Sequence, residues 1–163
     1  MNVTIRNVKK SDLDAVTAIE AACFPEAEAA DREAFLRRIE AFPDSFFVAE
    51  EGGRMIGFIN GCATDSQVIR DEMFEDSSCH KEDGAYQSVF GLDVLNEYRR
   101  QGIAAMLMNR LIEDARNRGR KGLILTCKDR LIHYYEKFGY RNLGISESVH
   151  GGAVWYDMIL EFK

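Results

Sequence analysis

The segment Val94-Leu95-Asn96-Glu97-Tyr98-Arg99-Arg100-Gln101-Gly102-Ile103-Ala104 constrains this chain more than any other. A strand-like run from Gln87 to Val94 leads into it, apolar enough from Val89 to Leu95 for a central position with both faces covered. A polar turn with two arginines and a glycine follows. An amphipathic helix then begins, with Ile103, Leu107, Leu111 and Ala115 on one stripe and Ala104, Met108 and Ile112 beside it. The first turn of a helix carries N–H groups without intrahelical acceptors and the positive end of the dipole. A strand that delivers the chain to such a turn builds a receptor for an anion such as a phosphate. Arg99 and Arg100 add positive charge, and Gly102 lets a ligand approach the backbone closely.

The remaining pattern gives the order βααββ, then βαβαββ. Val3 to Val8 reads as a strand, and Ser11-Asp12-Leu13-Asp14 as a helix start with Ser11 as N-cap. Leu13, Val16, Ile19, Ala22 and Cys23 keep the helical period until Pro25. A second helix is expected over 31–41, with Phe35, Leu36 and Ile39 buried. Residues 46–50 and 54–59 flank Gly52-Gly53 as a hairpin. The polar, acidic stretch 64–84 reads as a long loop with one helical turn at 71–74, a length that suits a functional or mobile segment. A strand over 85–94, with Gly91 marking a bulge or close backbone approach, precedes the helix that Gly119 ends. A buried strand is expected over 122–127, a short helix from Asp129 to Phe138, and strands over 140–149 and 153–162. Antiparallel strands first and crossovers later make the class a mixed α/β sandwich.

With 163 residues and no internal repeat or linker, residues 1–163 read as a single domain. The formal net charge of −6 speaks against non-specific nucleic-acid binding and is compatible with a cationic substrate. No apolar run has the length of a membrane span, and the start reads as a strand rather than a signal peptide. The four cysteines lack C-x-x-C spacing, so free thiols and no metal are expected, in a cytoplasmic protein. The acidic run Asp71 to Asp76, with Cys79-His80 after it, lacks a dense ligand spacing and reads as a solvated loop.

Two motifs carry a family resemblance. Arg99-x-x-Gly102-x-Ala104 resembles the Q/R-x-x-G-x-G/A signature of the GNAT superfamily of N-acetyltransferases. His133-Tyr134-Tyr135-Glu136-Lys137-Phe138-Gly139-Tyr140 resembles that family's F-Y-E-K-x-G-F element. The run from Cys127 to Tyr135 is similar to the arylalkylamine N-acetyltransferase branch in particular. The resemblance implies a GNAT-like mixed, mostly antiparallel sheet of about seven strands, flanked by about four helices and splayed at the fourth and fifth strands. It implies acetyl-CoA as co-substrate, its pyrophosphate on Arg99, Arg100, Gln101, Gly102, Ile103 and Ala104. The pantetheine arm is then expected beside Leu92, Asp93 and Val94, with Lys128, Leu131, Tyr134 and Tyr135 also at the cofactor.

Acetyl transfer from a thioester to an amine needs a deprotonated amine, donors for the developing oxyanion and a proton for the departing thiolate. The Val94 N–H is the expected oxyanion donor by analogy with the family. Tyr135 is the expected general acid, since a phenol with a pKa of about 10 stays protonated at neutral pH. The branch places two histidines where this chain has Ser88 and Phe90. A water chain through Ser88, or a base from Glu26, Glu28, His133 or His150, therefore stays open. Trp155-Tyr156 is a candidate wall of an aromatic acceptor pocket.

The expected activity is acetylation of a small primary amine of arylalkylamine or polyamine type. The alternatives are a non-catalytic acyl-CoA-binding regulatory module and a peptide or protein N-acetyltransferase. A nucleotide-binding protein fits less well, because neither G-x-G-x-x-G nor G-x-x-x-x-G-K-[ST] occurs. The last strand, if exposed, offers an edge for a homodimer.

Overall fold

Among the described residues, 2–163, of the computed structural model, the apolar patterns become nine strands and five α-helices. In chain order they are β1 (Val3–Asn7), α1 (Leu13–Cys23), α2 (Arg32–Ala41), β2 (Phe46–Glu51), β3 (Arg54–Asn60), β4 (Ala63–Thr64) and α3 (Asp71–Glu75). There follow β5 (Tyr86–Val89), β6 (Gly91–Val94), α4 (Ile103–Asn117), β7 (Gly122–Cys127), α5 (Ile132–Glu136), β8 (Arg141–Ile145) and β9 (Tyr156–Glu161). One sheet has the order β1-β2-β3-β6 and the other β4-β5-β7-β9-β8. Every pairing is antiparallel except β5 with β7.

The mostly antiparallel mixed α/β class is as expected from the sequence. Nine strands replace the expected seven because the run 85–94 is broken at Phe90 into β5 and β6, which belong to different sheets, and because the start of the expected loop, Ala63–Thr64, pairs with β5 as β4. The chain thus leaves the second sheet and joins the first within one residue, and the two sheets splay apart there.

Side-chain alternation puts two cores on the two faces of the first sheet. Phe47, Ala49, Ile56 and Ile59 face α4 and its stripe of Ile103, Leu107, Leu111 and Ala115. Phe46, Val48 and Phe58 face α1 and α2 through Val16, Ile19, Phe35 and Ile39. Asp31 caps α2 by accepting the Ala34 N–H at 2.9 Å. At α1 the expected Ser11 cap does not form: Asp12 holds the cap position, with no side-chain bond to the helix amides. Its carboxylate accepts the Lys9 N–H at 2.7 Å and is gripped by Arg6, which lowers its pKa.

The C-terminal strands are shorter than expected. Beyond the bond from Ser146 N–H to Trp155 O, side chains take over the backbone, with Asp71 accepting the Val149 N–H at 3.1 Å. The last strand is not an edge either. β9 lies between β7 and β8, so the free edge is β8. No helix among the described residues is long and apolar enough to cross a membrane.

Gly122, at the start of β7, is held against β9: a Cβ there would stand 1.9 Å from the Leu160 carbonyl oxygen. Gly122→Ala therefore forces β7 and β9 apart. Urea denaturation is expected to show a loss of about 3 kcal/mol, the upper range for overpacking; an unchanged midpoint would contradict this packing.

Candidate active site

The polar turn after β6 folds as an open row of donors. Arg100 and Gly102 both take left-handed backbone conformations, with φ of +63° and +81°. Gly102 precedes the first residue of α4, and Met106 is the first residue whose N–H reaches an intrahelical acceptor, Gly102 O at 3.0 Å. The N–H groups of residues 100 to 105 donate to no acceptor among the described residues. A Cβ on Gly102 would meet nothing within 4 Å, so the space in front of these amides is free. Such a concave run of amides at a helix start is an anion site. Arg99 turns back, its Nε donating to the Val94 carbonyl at 3.1 Å. Gln101 is exposed, with its side chain weakly on Glu97 O.

The turn opens into a cavity of about 1820 Å³ that runs through the splay. Arg99, Arg100, Gly102, Ile103 and Ala104 line it, as do Leu92 and Val94. β6 pairs only with β3, in a register where Leu95 N–H bonds Ile56 O at 2.9 Å. Antiparallel alternation then turns the N–H groups of Leu92 and Val94 away from β3, into the splay. Asp93 shares the strand, but its side chain points to the opposite side and is absent from the cavity wall.

On the far wall, Lys128, Leu131, Tyr134 and Tyr135 line the same cavity. Tyr135 packs on the main core beside Tyr134 and Tyr140, and burial pushes its phenol pKa up. The hydroxyl is therefore protonated at neutral pH and has no protein acceptor among the described residues. Cys127, at the end of β7, is buried, and burial raises its thiol to about 11, with Asp129 adding to the shift.

The other half of the cavity lies between the α1–α2 loop, α3 and the β8–β9 connection. Glu28 bonds Lys128 Nζ at 2.9 Å, and its carbonyl accepts from His150 Nε2 at 2.9 Å. A carbonyl only accepts, so Nε2 carries the proton. The His150 ring stacks on Phe74 with centroids 4.6 Å apart, and its own carbonyl takes the Trp155 Nε1–H at 2.8 Å. Three remote segments are thus tied into one wall.

Several expected site residues stand elsewhere. Ser88 is fully buried, its Oγ donating to Cys62 O at 2.8 Å, so the structure takes it off the cavity wall and out of a water chain. Glu26 is exposed and off the wall. His133 is exposed, 3.8 Å from Glu136. Among the described residues no group of His, Cys, Asp and Glu is arranged to hold a metal ion.

A charged cluster that the sequence reading missed lies at the break between β5 and β6. Glu20 of α1, Arg38 of α2, Asn60 of β3 and Asp93 of β6 are all buried. Arg38 donates to Asn60 Oδ1 at 3.1 Å and to Phe74 O at 2.9 Å, and Glu20 Oε2 accepts the Ala30 N–H at 2.9 Å. Glu20 Oε1, Asn60 Nδ2 and both Asp93 oxygens have no partner. Burial, and then the Glu20 charge beside it, raise the Asp93 pKa well above the usual carboxylate range. The signal was present: Glu20 occupies the buried stripe of α1 at i+7 from Leu13, and Asp93 interrupts an apolar strand.

The model of the acetyltransferase (GNAT) family matches residues 13–140. A probable hydrolase, YhcX, of Bacillus subtilis is 28% identical over 142 residues, covering 82% of this chain and 27% of that protein. Serotonin N-acetyltransferase of Mesocricetus auratus is 28% identical over 95 residues, covering 58% of this chain and 44% of that protein. The chain therefore spans less than half the length of either relative. Among solved structures, the GNAT-like decarboxylase GphF in complex with isobutyryl-CoA superposes with a TM-score of 0.85 at 23% identity, over 98% of this chain and 100% of that one.

The raised Asp93 pKa has a consequence for stability. Above about pH 4 the unfolded chain has lost this proton while the folded chain keeps it, so the Asp93 contribution falls with rising pH until the folded group ionises. Asp93→Asn removes that titration and retains a donor. Thermal melts are expected to show the variant gaining on the parent as pH rises from 4 to 8; a constant difference would mean that Asp93 is already ionised.

Proposed function

The chain belongs to the acetyltransferase (GNAT) family, and from that premise we propose that it moves an acetyl group from acetyl-CoA to a primary amine. The observation that carries this reading is the row of unpaired N–H groups at 100–105, opening onto the edge of β6 within one continuous cavity. The row suits a diphosphate, with Arg100 beside it. A pantetheine arm laid along β6 meets the outward groups of Val94 and Leu92. Of these two donors, Leu92 adjoins Gly91 and the acceptor half, so its N–H is the better placed for the thioester oxygen, and that of Val94 for a pantetheine amide. Tyr135 is the proton donor to the leaving thiolate.

The acceptor half combines acids with aromatic rings. Glu20, Glu28, Asp71 and Glu72 line it together with Phe24, Phe74, Phe90 and Trp155. Acidic groups attract an ammonium, and the rings suit an apolar or aromatic body behind it. A relative named serotonin N-acetyltransferase supports that class of acceptor. The open acceptor half supports a working transferase over a binding-only module.

Thiol release from acetyl-CoA, measured over arylalkylamines, polyamines, amino acids and peptides, tests the proposal. Turnover is expected with small apolar primary amines; none with any amine would end the enzyme reading, and turnover confined to peptides would move it to protein N-termini. Tyr135→Phe is expected to lower kcat by about 100-fold while leaving the acetyl-CoA Kd unchanged. Arg100→Glu is expected to weaken acetyl-CoA by roughly 10-fold in equilibrium binding, because it sets a negative charge beside the diphosphate.

A further inference from the structure

The cluster at the strand break is built for a proton. A Cβ on Gly91 would stand 3.0 Å from Asp93 Oδ1, 3.5 Å from Glu20 Oε1 and 3.7 Å from Asn60 Nδ2. Three unpartnered polar atoms from three elements thus converge beside a residue that lacks a side chain. Gly91, Glu20 and Arg38 all line the cavity, and Asp93 lies behind them. Burial, and then the Glu20 carboxylate beside it, favour the protonated form of Asp93. The remaining negative charge is balanced by the buried guanidinium of Arg38. Cys23, whose Sγ donates to Val94 O, is the other titratable group of α1 near the pair, and Arg99 adjoins it. Glu28 and His150, the other candidate bases on the cavity wall, are engaged with Lys128 and with the Glu28 carbonyl, whereas Glu20 Oε1 has no partner among the described residues.

We propose that Glu20 and Asp93 form a carboxylate–carboxylic acid pair in which Glu20, the member on the cavity wall, takes the proton from the acceptor ammonium. Asp93 is a positioning residue: its O–H donates to Glu20 and fixes it against the cavity. The inference rests on the acyl-transfer reading and names its missing base. The steps balance. An arriving R–NH3+ gives one proton to the singly protonated pair, which becomes neutral, and leaves a neutral amine. The nitrogen lone pair forms the N–C bond and the C–S bond breaks with its electrons on sulfur. The sulfur takes the Tyr135 proton, and the second proton lost by nitrogen restores Tyr135. The pair releases its extra proton to solvent as the amide leaves.

The test is acetyl transfer by the full chain from pH 5.5 to 9, with acetyl-CoA affinity and melting temperature measured alongside. For Glu20→Gln, kcat is expected to fall by about 100-fold with unchanged acetyl-CoA affinity, and the fall in rate toward acid pH to disappear. Asp93→Ala removes the donor to the Glu20 carboxylate, and the acid limb of kcat/KM is expected to move up by about one pH unit. Asp93→Asn, which keeps a donor, is expected to restore the parental limb. A structural role alone would not move and then restore that limb. A Glu20→Gln enzyme within three-fold of the parent, with the same pH profile, overturns the proposal. If that variant does not fold, an unmoved limb in Asp93→Ala overturns it equally. A parent inactive with every amine would instead remove the transferase reading on which the pair's role rests.

Discussion

The one-residue break between β5 and β6 is the feature on which the rest of this molecule depends. A strand inside a continuous sheet spends its N–H and C=O groups on both neighbours. β6 has a neighbour on one side only, so Leu92 and Val94 keep outward groups that an extended ligand arm can pair with. The same break opens the gap in which the cavity lies, and it aims the end of β6 at the start of α4. Gly91 stands at this point, and the Asp93 and Glu20 oxygens lie close to where its side chain would be.

A break of this kind has a cost, since buried polar groups lose water and gain partners only if the fold supplies them. The molecule offsets part of it with opposite charges. Arg38 lies against the rings of Phe35 and Phe90 and reaches Asn60 and Phe74, while Glu20 anchors the α1–α2 loop through Ala30. Several atoms nevertheless stay unpartnered: Glu20 Oε1 on the cavity wall, and Asn60 Nδ2 and both Asp93 oxygens behind it. Unsatisfied polar groups gathered beside a cavity are the pattern expected where a reacting group completes the network.

The half of the cavity made from backbone was legible in the sequence. An apolar strand, a turn with Arg100 and Gly102, and a long amphipathic helix define the anion site by local rules, and α4 begins at the residue after Gly102 as its pattern requires. The hairpin over Gly52-Gly53 and the strand 122–127 follow from equally local chemistry. The other half was not legible, because it is assembled from side chains of α1, α2, β3 and β6 that meet only in the fold. Ser88 shows the limit from the other direction. Its match to a histidine position of the resembled branch suggested a water chain, and only the fold shows that Cys62 O takes its hydroxyl. The ends of β8 and β9 failed for a related reason, since a distant carboxylate, Asp71, competes for their backbone.

On the proposed reading, this division also explains where acceptor selectivity resides. The anion site uses main-chain donors, so most side-chain changes leave it intact. The acceptor wall depends instead on three links between distant segments: Glu28 to Lys128, the Glu28 carbonyl to His150, and Asp71 to the backbone before His150. None of the three involves the 100–105 turn. A change of loop length or of one side chain there reshapes the space beside Trp155 and Phe74 without disturbing the amides at 100–105. On the proposed reading, cofactor binding and selectivity are thus carried by different kinds of interaction, the first by a strand edge and a helix start, the second by contacts among loops. A structure called a GNAT-like decarboxylase shares the fold over 98% of this chain at 23% identity, and a fold does not by itself fix the chemistry placed on it.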